Sequence, residues 1–295
     1  MKIKDPLSRK IFLWINNLFL LSLALVCILP MVHVLAVSLS SGPPAAAGFV
    51  KFWPIDFTLD SYNYVLNRAA FWRAFARTLY RVALGVPINI FLTVMVAYPL
   101  SKERHRFHAR TIYVWIFFFT ALFSGGFIPS YILVNDLGLM DSIWALVLPG
   151  AVPVFNIILM LNFFRTTIPS ELEDASLIDG AGHFRTLISI YIPCALPSIA
   201  TITLFSIVGH WNSYFDGMVF SRFIESYPLQ TYLRSIIITR DFTTTDIEDL
   251  RLLAMVSERT MKAAQIFVGM IPVLAVYPFL QKFFIKGIVI GSVKG

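Results

Sequence analysis

Polar and aromatic side chains lie inside several apolar runs of this 295-residue chain, and their types are the ones best suited to chemistry. Aromatic faces can stack on pyranose rings, and amide or carboxylate groups can exchange hydrogen bonds with sugar hydroxyls. The same residue types also make hydrogen bonds between membrane helices and form aromatic belts, so two interpretations stay open. The residues in question are Arg81, Asn156, Trp211, Asn212, Tyr214 and Asp216.

Three arginines, Arg73, Arg77 and Arg81, recur at intervals of four residues and therefore share one face of a helix. Long arginine side chains near a helix end usually reach back to the lipid headgroups. The alternative is a positive lining that attracts an anionic ligand. Arg81 lies about one helical turn deeper than its neighbour, where reaching the headgroups is harder, so it is the predicted ligand-facing member of the three.

Several catalytic patterns are missing from the sequence. It contains no G-x-x-x-x-G-K-[ST] phosphate loop, no H-E-x-x-H zinc motif and no G-x-S-x-G nucleophile elbow. We therefore expect no enzyme activity, no resident metal and no cofactor in this chain. His105 and His108 lie in a basic loop, where a solvated surface pair is favoured over a metal site. Cys27 and Cys194 fit neither a metal pattern nor a disulfide.

The composition predicts an all-α protein embedded in a membrane. Hydrophobic residues make up 57% of the chain, aromatic residues 15% and charged residues only 14%, and the mean hydropathy is +0.74. A soluble globular domain has about 25% charged residues, and several apolar runs here reach the ~20 residues that cross a bilayer. The net charge of +7 is accordingly attributed to cytoplasmic loops, and no nucleic-acid binding is expected.

Six transmembrane helices are predicted within a single membrane domain, residues 1–295. The short loops indicate their orientation, because Lys and Arg collect on the cytoplasmic side. The N-terminus, the Ser101–Arg110 loop and the C-terminal tail are basic, whereas Asn135–Asp141 contains no Lys or Arg. Both termini and residues 168–197 are therefore predicted to be cytoplasmic. The spans cover roughly residues 11–39, 77–100, 111–134, 142–164, 196–220 and 261–284.

Residues 168–197, which we call the corner segment, are predicted to form a helix–turn–helix between the fourth and fifth spans. Ser170 and Glu173 match a capping box, which predicts a helix start at Ser170. Acidic residues in the first turn favour the same start, because the helix dipole stabilises negative charge there.

The turn of the corner segment contains Gly180 and Gly182, which allow the positive φ that ends a helix. A second helix is predicted over residues 183–192, and it stops at Pro193 because proline cannot continue the backbone hydrogen bonding. The corner segment is thus expected to lie against the membrane with small residues at its tip.

The corner segment resembles the EAA loop of ABC importer permeases, whose pattern is E-A-A, three residues, G, nine residues, then I-x-L-P. Asp174-Ala175-Ser176, Gly180 and Ile190–Pro193 stand at the matching positions, with Asp for Glu, Ser for Ala and Ile for Leu. The resemblance implies a loop that binds an ATPase subunit and couples it to transport. The residues it assigns to coupling are Glu173, Asp174, Ala175, Ser176, Gly180, Ala181 and Gly182.

Other segments resemble the carbohydrate branch of the same family. The tail, Gln281–Gly287 and Gly291–Gly295, and Pro228-Leu229-Gln230 resemble carbohydrate-type permeases. Gly125–Tyr131, whose glycines also break the third span, and Leu137–Leu139 resemble the subgroup that handles polysaccharide fragments, including lipoprotein-linked and alginate-type permeases. Together with the arginine stripe, this resemblance leads to the hypothesis of an acidic, uronate-type oligosaccharide as the substrate.

The resemblance implies one of two membrane subunits of an ATP-driven oligosaccharide importer in a bacterial inner membrane. Its implied partners are a second permease subunit, two ATPase subunits that bind ATP and Mg²⁺, and an extracytoplasmic solute-binding protein. Two other classes stay open. An ion-coupled secondary transporter needs a titratable group within the membrane, for which Asp216 is the only well-placed acid. A non-transport membrane assembly protein would not need the corner segment.

Overall fold

The computed structural model describes residues 7–238 and 257–292, which are mostly helical. Within those ranges there is no β-strand, only an isolated bridge between Ser40 and Phe57. The all-α prediction is confirmed for this part of the chain. In chain order the helices are α1 (Leu7–Ser38), α2 (Gly42–Ala46), α3 (Asp60–Leu66), α4 (Ala69–Ser101), α5 (Arg110–Leu122), α6 (Phe127–Asp136), α7 (Ile143–Val147), α8 (Val154–Thr167), α9 (Ser170–Ile178), α10 (His183–Thr186), α11 (Ile192–Cys194), α12 (Leu196–Asn212), α13 (Phe215–Phe220), α14 (Leu229–Ile238) and α15 (Glu258–Ser292).

The chain forms two compact units. The first comprises Met1–Ala69 with Ile236–Met270, and the second comprises Ala70–Ser235 with Ile271–Gly295. In the first unit, the end of α1 packs with α2 and the start of α15 around a small apolar core. The buried members of that core are Ala36, Val37, Ala45, Val50 and Ala263.

Three helices are long and apolar enough to cross a membrane, judged within the described residues: α1, α4 and the Glu258–Pro278 part of α15. Two pairs of consecutive helices reach that length only together. They are bent by 107° between α5 and α6 and by 80° between the helical stretch His183–Cys194 and α12, and counting each pair as one span gives up to five. The helix α8, with 14 residues, is apolar but shorter. The count of six spans therefore stays a prediction.

Breaks in the predicted spans fall where the sequence lacks helix formers. Gly126 adopts a φ of +88° between α5 and α6, at the glycine pair expected to interrupt the third span. The stretch 142–164, predicted as one span, is instead divided into α7 and α8 by residues 148–153. That linker contains Pro149, Gly150 and Pro153, and each proline disfavours a helical conformation in the residue before it.

The core of the second unit joins α4, α8 and α12 with the second half of the corner segment. It includes Tyr98 from α4, Phe164 from α8, Tyr191 from the corner segment and Ile202 from α12, all of them buried. Tyr191 contacts both of the other rings edge-on, with centroid distances of 4.8 Å to Tyr98 and 5.2 Å to Phe164. The corner segment is therefore packed against the end of α4 rather than extended away from it.

Candidate functional site

The first helix of the corner segment begins where the sequence predicts, but for another reason. The helix α9 starts at Ser170, and its cap residue is Pro169, with no side chain bonded to the free backbone N–H groups. The predicted capping box is therefore wrong. The carboxylate of Glu173 points into the protein instead, where it meets Lys102 and Tyr191.

The turn of the corner segment agrees with the prediction at one of its two glycines. Gly180 has a φ of +73°, a conformation that favours glycine, whereas Gly182 has a φ of −71° that any residue can adopt. The second helix consists of α10, a wider π-helical turn over Leu187–Tyr191, and α11, which ends one residue after Pro193.

A partly buried ion-pair network joins α9 to the end of α4. Oε1 of Glu173 lies 2.8 Å from Nζ of Lys102 and 3.2 Å from Nη1 of Arg106. Oε2 of Glu173 accepts a hydrogen bond of 2.8 Å from the hydroxyl of Tyr191. Arg106 also forms an ion pair with Asp174. We call these five residues, Lys102, Arg106, Glu173, Asp174 and Tyr191, the loop clamp.

The charges of the loop clamp are held in an aromatic setting. Lys102 is only 7% exposed, and its Nζ lies 3.8 Å and 4.1 Å from the ring centroids of Tyr98 and Tyr191. Such contacts stabilise a cation by ~0.5–2 kcal/mol. Burial would raise the pKa of Glu173, which is 5% exposed, but the hydrogen bonds and charges of the clamp outweigh burial and hold that pKa below its ordinary value. Glu173 is therefore ionised at neutral pH.

The residues assigned to coupling divide between two faces of the corner segment. Glu173 and Ser176 are buried, and Oγ of Ser176 is 2.9 Å from Oγ1 of Thr186, which joins α9 to α10. Ala181 is half-buried. The remaining four, Asp174, Ala175, Gly180 and Gly182, are exposed.

The outward face of the corner segment presents large apolar side chains. Ile178 is 85% exposed and Phe184 is 69% exposed, and they flank the glycine turn. Leu172, Leu177 and Ile188 are also exposed. The tip thus exposes large apolar side chains to solvent next to the charged residues of α9, while Glu173 and Ser176 face inward.

A second buried network lies between α4, α12 and α13. Arg81 is only 3% exposed, and both of its terminal nitrogens bond the carboxylate of Asp216, with one contact of 3.2 Å from Nη1 to Oδ1. Oδ1 of Asp216 also accepts hydrogen bonds from the hydroxyl of Ser213 at 2.7 Å and from the backbone N–H of Gly217 at 2.8 Å. The positive charge of Arg81 is thus fully balanced inside the unit.

The second network continues through a histidine whose tautomer is determined by its neighbours. Nε of Arg81 donates to Nδ1 of His210 at 3.3 Å, and arginine has no acceptor, so Nδ1 carries no proton. Nε2 of His210 therefore donates to Oδ1 of Asn89 at 2.8 Å. The amide of Asn89 donates in turn to the carbonyls of Gly150 and Ala151, at 3.0 and 2.9 Å. We call Arg81, Asn89, His210, Ser213 and Asp216 the span network.

The missing side chain of Gly85 makes room for the His210 ring of the span network. A Cβ atom at Gly85 would collide with the ring of His210, so α4 and α12 approach each other where α4 has no side chain. The carbonyls of Gly150 and Ala151 lie in the 148–153 linker and find partners in Asn89. The network thus provides hydrogen-bond partners for backbone carbonyls that lie outside a helix.

The predicted binding residues do not form one group. Arg81 and Asp216 meet in the span network, whereas Trp211 is buried edge-on against Phe75, with a centroid distance of 5.9 Å. The other three occupy separate environments. Asn156 is buried, Asn212 is exposed, and the half-buried ring of Tyr214 lies below the guanidinium of Arg234 at 4.3 Å.

The arginine stripe changes character along α4. Arg73 is exposed, Arg77 is half-buried and donates a 2.6 Å hydrogen bond to the carbonyl of Asp141, and Arg81 is buried and paired. The expectation that Arg81 presents a free positive charge to a ligand therefore needs correction, because Asp216 neutralises it in this structure. Arg73 is the member of the stripe whose charge is available at the surface.

Lys102 and His210 belong to buried networks that sequence reasoning missed. Lys102 looks like one of several cations in a basic loop, and His210 looks like a single polar residue in an apolar helix.

The described residues contain no group of three or more potential metal ligands. His105 forms a 3.1 Å contact with Glu103, and Cys27 and Cys194 are exposed free thiols.

Comparison with known proteins gives consistent results. The family described as "binding-protein-dependent transport system inner membrane component" matches residues 62–290. A "polygalacturonan/rhamnogalacturonan transport system permease protein", YtcP of Bacillus subtilis (strain 168), is 39% identical over 277 residues, which cover 94% of this chain and 96% of the relative. LplC of the same organism is 39% identical over 288 residues, which cover 98% and 96%.

A chain of one solved structure is similar to this chain in both sequence and fold. The structure is that of a bacterial ABC transporter described as involved in the import of the acidic polysaccharide alginate. One of its chains is 36% identical to this chain, with a TM-score of 0.82 and coverage of 96% of this chain and 100% of the other.

Proposed function

The chain belongs to the family of binding-protein-dependent transport system inner membrane components, and on that premise we propose that it is a permease subunit of an ATP-driven oligosaccharide importer. The names of its relatives support a carbohydrate substrate. As proposed, the chain is a single membrane domain with six spans in a bacterial inner membrane, and both termini are cytoplasmic. A second permease subunit would complete the pathway.

The observation that carries this proposal is the shape of the corner segment. Its outer tip exposes Ile178 and Phe184, while its inner face is fixed to α4 by the loop clamp. This arrangement suits a rigid element that inserts into a groove of a partner. In the proposed mechanism two ATPase subunits bind ATP and Mg²⁺, and their closure moves the corner segment. This chain holds no cofactor and carries that motion to the spans.

The partner outside the membrane is proposed to be a solute-binding protein. Support comes from the family description, which names transport systems that depend on a binding protein. If such a protein delivers the oligosaccharide, this chain needs only to provide a path for it and does not need to bind it with high affinity. The scattered environments of Trp211, Asn212 and Tyr214 suit that role better than a single preformed sugar pocket, so their place along the path stays a proposal.

An acidic substrate is the second part of the proposal. Polygalacturonan and alginate, named for two similar proteins, are both polymers of uronic acids. Arg73 carries an accessible positive charge at one end of α4, where it can attract a carboxylate. The substrate test is the ATPase activity of the reconstituted complex with acidic or neutral oligosaccharides of equal length. Stimulation by neutral sugars only would contradict an acidic substrate.

Two other functions have less support from the structure. A secondary transporter would need Asp216 to exchange a coupling ion, yet Asp216 is bound by Arg81, Ser213 and a backbone N–H. A membrane assembly protein would have no need of an apolar tip held by a partly buried ion-pair network.

The central experiment is co-purification of this chain with an ABC-type ATPase subunit from the same organism. Ile178→Asp places a charge on the exposed tip and is expected to abolish the association, because a buried unpaired charge in an interface costs several kcal/mol. Phe223→Asp is the matched control, since Phe223 is a similarly exposed apolar residue outside the corner segment. Equal association of both variants would overturn the assignment of the tip.

The orientation can be tested with single cysteines. Ser176 is buried and hydrogen-bonded, so Ile178 is the better position for a reporter in the corner segment. In a background where Cys27 and Cys194 are replaced by serine, Ile178→Cys should resist a membrane-impermeant thiol reagent in intact cells, and Phe223→Cys should react. The opposite labelling pattern would reverse the proposed orientation.

A further inference from the structure

The loop clamp connects two parts of the chain that the proposed function needs to move together. Lys102 directly follows the last residue of α4, and Glu173 lies on the inner face of α9. The outer face of the same nine-residue helix leads directly to the apolar tip. The position of the tip is therefore set by the anchor on the opposite face of α9.

The clamp is specific in its geometry. Nζ of Lys102 is bound by Oε1 of Glu173 at 2.8 Å and by the hydroxyl of Tyr191 at 3.1 Å, and two tyrosine rings enclose it. Every strong contact of this ammonium group thus holds it in one place. Arg106 is more exposed and shared between Glu173 and Asp174, so it supports the same contact from the solvent side.

The charges within the clamp are balanced. Two cations, Lys102 and Arg106, face two carboxylates, Glu173 and Asp174. Loss of Lys102 alone leaves the buried Glu173 with only the partly exposed Arg106 as a counter-charge. Loss of the charges of both Lys102 and Glu173 leaves no unpaired buried charge. A double variant that is neutral at both positions is therefore expected to fold, whereas a single substitution lowers the stability of the fold.

We infer that Lys102 is a positioning residue, which fixes the corner segment to α4 so that motion of the ATPase subunits reaches the spans. This inference rests on the proposed coupling function. Lys102 lies outside the EAA-like pattern and transmits the motion. The tip binds the ATPase subunit. Binding of the ATPase and coupling to it are therefore separable in this chain.

The test uses the full reconstituted complex and measures oligosaccharide uptake, ATP hydrolysis and subunit assembly side by side. Lys102→Met is expected to keep the ATPase subunits bound but to lower uptake per ATP hydrolysed by roughly fivefold or more, the range typical of coupling between sites. Lys102→Arg keeps a cation between the two rings and is expected to retain most of the coupling. Arg104→Met, an exposed cation of the same loop, is the matched control and should behave as wild type.

Two further variants separate coupling from folding. Lys102→Met combined with Glu173→Gln leaves no unpaired charge, and it should assemble as well as wild type and still be uncoupled. Exchange of the two charges, Lys102→Glu with Glu173→Lys, should restore part of the uptake that either single change removes. If the neutral pair assembles and transports with the wild-type ratio, or if uptake and hydrolysis fall together in every variant, Lys102 has no positioning role.

Failure of this inference is distinct from failure of the proposed function. If the wild-type chain binds no ATPase subunit, the proposed function fails and no coupling ratio exists. If the wild-type complex transports and Ile178→Asp disrupts its assembly, but the neutral pair stays coupled, the function holds and only the role of Lys102 is overturned.

Discussion

The loop clamp and the span network place two buried ion pairs at different points of the same helix, with Arg81 inside α4 and Lys102 just after its end. About 21 residues of helix put roughly 30 Å between them. The loop clamp joins α4 to a segment that exposes an apolar tip. The span network joins α4 to α12, α13 and the 148–153 linker, and it ends on backbone carbonyls.

The surroundings of the two ion pairs indicate that they have different roles. In the span network the polar groups are bonded to other groups of the second unit, so its ion pair fixes α4 to α13 within that unit. In the loop clamp Arg106 and Asp174 remain partly exposed, so its ion pairs reach the surface of the fold. A buried charge pair is therefore no sign of a ligand site by itself, and its surroundings decide its role.

The largest expected effect comes from breaking the span network. Arg81→Gln leaves the carboxylate of Asp216 without its counter-charge and should lower the stability of the purified chain by about 3–5 kcal/mol. The loss of stability is measured by thermal denaturation of the purified chain in detergent. Arg81→Gln combined with Asp216→Asn should recover much of that loss, because neither charge remains. A double variant no more stable than the single one would show that the pair is not the source of the stability.

A smaller effect is expected where the span network needs close packing. Gly85→Ala adds a Cβ that meets the His210 ring, so the helices must separate, at a cost of about 1–3 kcal/mol. Gly209→Ala is the matched control, because its Cβ would meet no atom within 4 Å. Equal melting temperatures for the two variants would contradict the packing of His210 against α4.

The turn of the corner segment offers a comparison in which only the backbone differs. A Cβ atom added at Gly180 or at Gly182 would meet no other atom within 4 Å, but only Gly180 has a positive φ. Gly180→Val should therefore cost about 1–2 kcal/mol of local strain and reduce uptake relative to ATP hydrolysis, while Gly182→Val should add no such backbone strain. Wild-type uptake by Gly180→Val would falsify the importance of this turn for coupling.

The smallest effect concerns the pH dependence of the loop clamp. The pKa of Glu173 is held below its ordinary value, so its contribution to stability is complete above the unfolded-state pKa and is lost as the pH falls through the folded-state pKa. Wild type should therefore exceed Glu173→Gln in melting temperature by a constant amount between neutral pH and about pH 5. The difference should shrink only in more acidic solution, and a decline between about pH 8 and pH 6 would show that another group titrates.

The amino-acid sequence by itself determined the membrane class, the helical secondary structure and the family resemblance. Apolar runs, glycine turns and proline breaks act through neighbouring residues, which is why the break at Gly126 and the positive φ at Gly180 could be predicted. The EAA-like pattern is also contiguous, so it could be recognised without knowledge of the fold.

Only the tertiary structure decided which charges meet. Arg81 and Asp216 are separated by 135 residues, His210 and Asn89 by 121, and Lys102 and Tyr191 by 89. Glu173 matched a local capping pattern, yet long-range bonds to Lys102 and Tyr191 drew its carboxylate inward. Local preferences are worth about 1 kcal/mol, whereas an unpaired buried charge costs several, so the partners brought together by the fold prevail over the pattern of neighbouring residues.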